Sequence, residues 1–257
     1  MAFSTPEVYN DWYCATFIKY FGSSNAANSN DYQIHNAYKI KAGLENQGYS
    51  LLALSAVIGN FQRESCLTPA GLERWDQLPN YGNAPLSSTT NAMMLQYYVN
   101  YGVGLGQWDG NTSTPPPGQK LVSYCERHGW NWYDGDAQLE RLQAEYDNNL
   151  QWINKTFDGV VWTWSMFKEI DTTETFRKAS EIWRQSWERG GDDTITERAI
   201  NTEYWYYYFL NNPDPPGPGP GPGPGPGPEP PVPIRRNIVY LISKKKRRIS
   251  NNVRVKI

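Results

Sequence analysis

Apolar and polar positions along this chain repeat mostly every three to four residues, the period of helices with one buried face. The strongest run opens after Ser50, a good N-cap, and carries Leu51-Leu-Ala-Leu-Ser-Ala-Val-Ile-Gly-Asn-Phe61 to Cys66. The same pattern predicts helices over 36–47, stopped near Gly48, and over 118–128, stopped by Gly129. A further helix is predicted over 137–153, where Leu139, Leu142, Tyr146, Leu150 and Ile153 keep the spacing. Thr5-Pro6 reads as a helix start, with Pro6 at the first helical position, for a helix to Phe21. Gly22–Asn30 reads as a polar joint. Asp171-x-x-Glu174 and Thr194-x-x-Glu197 read as capping boxes opening two last helices, and Asn211-Asn212-Pro213 closes the fold. Only 67–110, with Pro69, Pro79, Pro85 and several glycines, breaks the helical period. That segment is expected to be irregular or to hold a short β-hairpin.

Beyond Pro213 the pattern changes. A Gly-Pro alternation runs to Pro228, with a period of two rather than the triplet of collagen. Residues 213–233 form a spacer that spans up to ~65 Å at ~3.1 Å per residue. Residues 234–257 then carry nine Lys or Arg and no acid. The whole chain has 24 basic and 26 acidic residues, which leaves 15 and 26 for residues 1–233. An overall charge of −2 thus hides an acidic body and a cationic tail, the pattern of an interaction tail.

One acid interrupts the strongest helix. Glu64 shares a face with Phe61, Asn60 and Val57. A carboxyl there is partly desolvated, which disfavours its charged form and suits it to donate a proton. Cys66 lies two residues away. The three cysteines, Cys14, Cys66 and Cys125, are odd in number and form no CxxC pair, so they read as buried thiols of a protein made in a reducing cytoplasm. His35 and His128 lack zinc-ligand spacing, and neither a metal nor another cofactor is expected. The N-terminus lacks the basic and apolar regions of a signal peptide, and no apolar stretch reaches the ~20 residues of a membrane span. With 11 Trp and 18 Tyr, the aromatic side chains are expected to be mostly core.

About 40 residues after Glu64 comes a glycine-rich loop, Tyr101-Gly102-Val103-Gly104-Leu105-Gly106-Gln107-Trp108-Asp109-Gly110. Together, Ile58-Gly59-Asn60-x-x-x-Glu64-Ser65 and Gly104-Leu105-Gly106-Gln107-Trp108 resemble the phage tail lysozyme family. So do Gly129-Trp130-x-Trp132, Asp136-x-Gln138-Leu139, Ser186-Trp187-Glu188-Arg189-Gly190-Gly191-Asp192, Arg198-Ala199 and Tyr204. The resemblance covers about 36–210. It implies a mainly α, lysozyme-like fold in which the irregular segment forms one wall of the cleft. The expected organisation is an N-terminal helix and joint over 1–35, a catalytic domain over 36–212, a linker over 213–233 and a basic tail over 234–257.

The resemblance also implies an activity: cleavage of the β-1,4 bond between N-acetylmuramic acid and N-acetylglucosamine in bacterial peptidoglycan. Glu64 matches the family's general acid. Gln107 and Trp108 match the loop lining the cleft, Gln107 to hydrogen-bond a sugar substituent and Trp108 to pack on a sugar face. Ser65 and Tyr101, in the same motifs, are further candidates for substrate contact. For the second carboxylate of a glycosidase, Asp109 is the first choice, with Glu73 and Asp76 as alternatives. Relatives often add a metal-dependent endopeptidase domain, for which the tail is too short. The expected setting is a phage virion, with the protein acting on the host wall at entry and its tail on another tail protein or an anionic polymer. A lytic transglycosylase, an endolysin acting at lysis, and a non-catalytic wall-binding or structural tail protein stay open as alternatives.

Overall fold

The computed structural model describes residues 6–16, 21–73, 86–97, 101–108, 117–189, 194–213 and 215. The chain divides into two units, 1–221 and 222–257. The second, with most of the Gly-Pro spacer and the whole basic tail, lies outside the described residues, as do Asp76 and Asp109.

The described part is mainly helical. Strands β1 (Glu7–Tyr9) and β2 (Trp12–Cys14) come first, then helices α1 (Asp31–Asn46), α2 (Leu51–Ser65), α3 (Asn91–Tyr97), α4 (Pro117–His128) and α5 (Gly135–Asp147). A hairpin of β3 (Lys155–Phe157) and β4 (Val160–Trp162) follows. It leads into α6 (Trp164–Lys168), α7 (Phe176–Trp183), a π-helical turn over Arg184–Glu188, and α8 (Ile195–Asn211).

Helix α2 is the axis of the fold. Ser50 caps it, its Oγ accepting from the Ala53 N–H at 3.2 Å, and every residue from Leu52 to Gln62 is buried. A surface helix buries one stripe; α2 is buried all round because other helices surround it. Its most extensive packing is on α8, then α7, then α1. Glycine makes the α8 approach possible, since a Cβ on Gly59 would fall 2.6 Å from the Thr202 backbone nitrogen. Five indoles, Trp12, Trp132, Trp183, Trp187 and Trp205, are among the largest fully buried side chains. Cys14, Cys66 and Cys125 are free and buried, and burial pushes the Cys66 and Cys125 thiols up to about 12, far from a reactive thiolate.

The N-terminal helix predicted from Thr5-Pro6 is not formed. Residues 7–14 are an antiparallel hairpin, Val8 opposite Tyr13, turning at Asn10-Asp11 with both residues at positive φ (47° and 63°). Asn and Asp tolerate that left-handed turn, which matches strand twist. Buried Trp12 and Cys14 alternate with half-buried Tyr13 at the strand period. Helix α1 also starts earlier than expected, because Asn30 and Gln33 make a reciprocal capping box. Helix α5 ends at Asp147, before Asn149 turns to φ 49°, leaving Leu150 and Ile153 outside it and exposed.

Neither of the two expected late capping boxes forms. Asp171 accepts from Thr173 instead, and Thr175 caps α7. The Thr194 hydroxyl accepts from Arg198 Nε, while Glu197 pairs with Arg63. Within 67–110 the described residues hold one isolated antiparallel bridge, Leu72 to Val103, a 3₁₀ turn at Leu86–Ser88 and the unpredicted α3.

Candidate active site

Glu64 occupies the last turn of α2, one residue before its end. Just beyond, Cys66 and Leu67 take consecutive left-handed conformations (φ 53° and 66°), which non-glycine residues adopt only when their surroundings fix them. Helix α1 supplies that fixing. Gln33 Nε2 donates to Cys66 O at 3.0 Å and Asn36 Nδ2 to Leu67 O at 2.9 Å. The N-terminal hairpin adds a strap, with Ala15 N–H donating to Thr68 Oγ1 at 2.9 Å. The end of α2 is therefore held from two sides.

Glu64 keeps 28% of its side chain exposed and its Oε1 accepts from Arg198 Nη2. Arg198, in the first turn of α8, is only 6% exposed. Its Nη1 donates to Asn60 Oδ1 at 2.8 Å and to Glu188 Oε2 at 2.7 Å, and its Nε donates to Thr194 Oγ1 at 2.9 Å. Asn60 and Glu64 stand four residues apart on one face of α2, so the Gly59-Asn60-x-x-x-Glu64 spacing acquires a physical meaning. Gly59 admits α8; Asn60 and Glu64 then share its arginine. Glu188 brings a second carboxylate to the same guanidinium from the end of the π-helical turn, at 7% exposure. Such turns are rare and occur often at functional sites.

The glycine-rich loop is fixed to this centre by a buried network. Glu145 on α5 accepts from the indole N–H of Trp108 at 3.2 Å, that of Trp187 at 3.1 Å and Arg141 Nε at 3.0 Å. Burial raises Glu145 above its ordinary value, while Arg141 and the two indoles pull it back. Trp108, Trp187 and Phe61 of α2 pack together, with ring centroids 5.2–6.4 Å apart. Gly106 lies where a Cβ would meet Trp187 at 2.5 Å. Gln138 Oε1 accepts from Leu105 N–H at 2.8 Å and holds the loop from below.

The other expected site residues are placed as follows in the same network. Trp108 is 3% exposed and its N–H is taken by Glu145, so in this structure it braces the loop. Gln107 Nε2 donates to Gly71 O and Gly104 O, tying the loop to itself and to the segment that follows α2. Ser65 is buried, its hydroxyl donating to Phe61 O at 3.1 Å, as a hydroxyl often does in a helix. Tyr101 is half-buried against the core. Glu73 is exposed at the loop's base, where it accepts from Gly102 N–H at 2.9 Å. Arg198 and Glu145 carry no role in the sequence reading: Arg198 enters only within the Arg198-Ala199 motif, and the i, i+4 spacing of Arg141 and Glu145 is a local signal for Glu145 alone.

A sequence profile of phage tail lysozymes matches residues 35–209. The chain belongs to the phage tail lysozyme family. Morphogenesis protein 1 of Bacillus phage B103 is 29% identical over 187 residues, 72% of this chain and 42% of that relative. The chain thus spans less than half of that relative's length. The protein is phage-associated and lysozyme-like, and no helix among its described residues is long and apolar enough to cross a membrane.

Proposed function

We propose that this family member is a muramidase that cleaves the β-1,4 bond between N-acetylmuramic acid and N-acetylglucosamine, with Glu64 as general acid. The observation that carries the proposal is the setting of Glu64: a half-open carboxyl at the end of a largely buried helix, oriented by an arginine that is itself fixed by three other groups. Glu64 protonates the glycosidic oxygen while the C1–O bond breaks and the ring becomes oxocarbenium-like. A water molecule then adds to C1, and its proton returns to the enzyme. Asp109, directly after the anchored Trp108, is the proposed partner that orients this water, ahead of Glu73 and Asp76.

Digested peptidoglycan analysed by mass spectrometry tests the reaction. Hydrolysis leaves reducing muramic acid ends; an anhydro end, lighter by one water, would identify a transglycosylase instead. Unchanged walls would leave a non-catalytic binding role. Asp109→Asn is expected to lower kcat with little effect on sugar binding, whereas Glu73→Gln should behave as the parent.

The setting we propose is a virion tail acting on the host wall during entry, with 234–257 binding an anionic wall polymer. Truncation after Asn212 should spare turnover of small soluble fragments and weaken binding to whole walls at low salt, a difference that salt screens out. Equal binding at low salt would refute that role.

A further inference from the structure

The proposed acid sits opposite a fixed positive charge, and an arginine beside a carboxyl favours its ionised form. A general acid needs the opposite. Glu188 supplies what resolves this, and the inference rests on the reading of Glu64 as acid. We propose that Glu188 is the proton partner of Glu64: the two carboxylates share Arg198 and a single proton, so that Glu64 can be the protonated member when substrate arrives.

The geometry is that of two carboxylates on one guanidinium, Glu64 on Nη2 and Glu188 on Nη1 at 2.7 Å. With both ionised, a buried and a partly buried carboxylate compete for one guanidinium, and keeping both charges out of water is costly. A proton on one of them relieves that cost. In one arrangement Glu188 holds the proton and Glu64 is ionised against Nη2. In the other Glu188 is ionised against Nη1 and Glu64 carries the proton. Glu188 Oε1 is buried and makes no well-formed hydrogen bond among the described residues, as expected of a carboxyl able to hold a proton. Both acids lie in the last turn of a helical segment, where the helix dipole disfavours negative charge.

The charged groups around Glu188 act in both directions. Burial pushes it up to about 8; Arg198 pulls down, Glu64 pushes up, and Arg184 on its own turn and the Trp183 indole at the end of α7 pull down. Arg63 of α2 and Glu197 of α8 pair with each other at 2.8 Å. Burial thus outweighs the arginines, and Glu188 keeps a proton to share through neutral pH. During the reaction Glu64 gives its proton to the leaving oxygen and becomes a carboxylate against Arg198. The proton released when water adds to C1 restores the pair. Glu188 touches no reacting atom; it is a positioning residue for the proton on Glu64.

Two measurements test this. The first is the pH–rate profile of Glu188→Gln against the parent on peptidoglycan. With the competing carboxylate removed, more of the pull of Arg198 falls on Glu64, and the alkaline limb of kcat should move down by about one pH unit or more, lowering the rate about tenfold near pH 7–8 and little near pH 5. Coincident limbs, or an equal fall at every pH, would overturn the proposal and leave Glu188 as packing. The second needs no variant and no activity: carbon-13 NMR titration of the glutamate carboxyls in the full chain. Two coupled titrations, one at or above neutral pH, support the shared proton; every glutamate, Glu188 included, titrating near its ordinary value refutes it. A parent inactive at all pH values would instead refute the muramidase reading, while the NMR titration would still decide the proton sharing.

Discussion

A Cβ on Gly59 would lie 2.6 Å from both the backbone nitrogen and the hydroxyl of Thr202. At that point α2 and α8 pack backbone against backbone, with the Thr202 hydroxyl bonded to Ser180 of α7 at 2.6 Å. One turn further along, the same approach delivers Arg198 to Asn60 and Glu64. Packing and site are thus set by one contact.

Gly59→Ala is expected to push α8 outwards. Overpacking of this kind costs about 1–3 kcal/mol, and the displaced Arg198 should reduce activity more than the stability loss alone explains. Urea unfolding and turnover measured on the same sample check both. Unchanged stability with unchanged turnover would mean that the helices have more room than the contact implies.

Trp108→Phe separates a brace from a sugar platform. Loss of the N–H removes a hydrogen bond to a charged acceptor, worth about 1.5–3 kcal/mol, and loosens the loop that Glu145 holds. The expected result is a lower midpoint of unfolding with KM for soluble muroglycan fragments nearly unchanged. A raised KM at unchanged stability would return Trp108 to the substrate surface.

Stability itself should fall as the solution becomes more alkaline. Burial lifts Glu188 from an ordinary 4.5 to about 8, so the native chain keeps a proton that the unfolded chain has already released. The associated stabilisation is complete below pH 4.5 and is lost as pH rises through about 8. Its slope is at most about 1.4 kcal/mol per pH unit. Glu145, also raised by burial, acts with the same sign. Unfolding free energies of the parent and Glu188→Gln at several pH values isolate the first contribution, since the variant should show a flatter decline. Parallel curves would contradict it.

What the sequence disclosed follows its local signals. Helix α2 was legible because a serine cap, an apolar run and a single acid stand in direct succession, and the resemblance to tail lysozymes followed from the motif it carries. The hairpin at residues 7–14 was hidden behind Thr5-Pro6, although Tyr9-Asn10-Asp11-Trp12 held a turn signal. Leu150 and Ile153 extended a helical period past the Asn148-Asn149 stop. Thr194-x-x-Glu197 matched a capping box, but Thr194 and Glu197 each found a stronger arginine partner. Arg198 had no local signal as a site residue, because Glu64 and Asn60 lie more than 130 residues away. Glu188 sits in a π-helical turn, whose period no amphipathic pattern follows. The burial of Trp108 was not legible because a glycine-rich loop suggests exposure, whereas here its glycines admit Trp187 and Gln138 against the backbone.

Glu64→Gln bears most directly on the proposed chemistry. The substitution keeps size and a hydrogen-bond acceptor for Arg198 but removes the transferable proton. Clearing of a peptidoglycan suspension, measured at equal folded concentration, should slow by about 10²–10⁴-fold, the usual weight of general acid catalysis, with the midpoint of thermal unfolding nearly unchanged. Clearing at close to the parent's rate would show that Glu64 is not the acid.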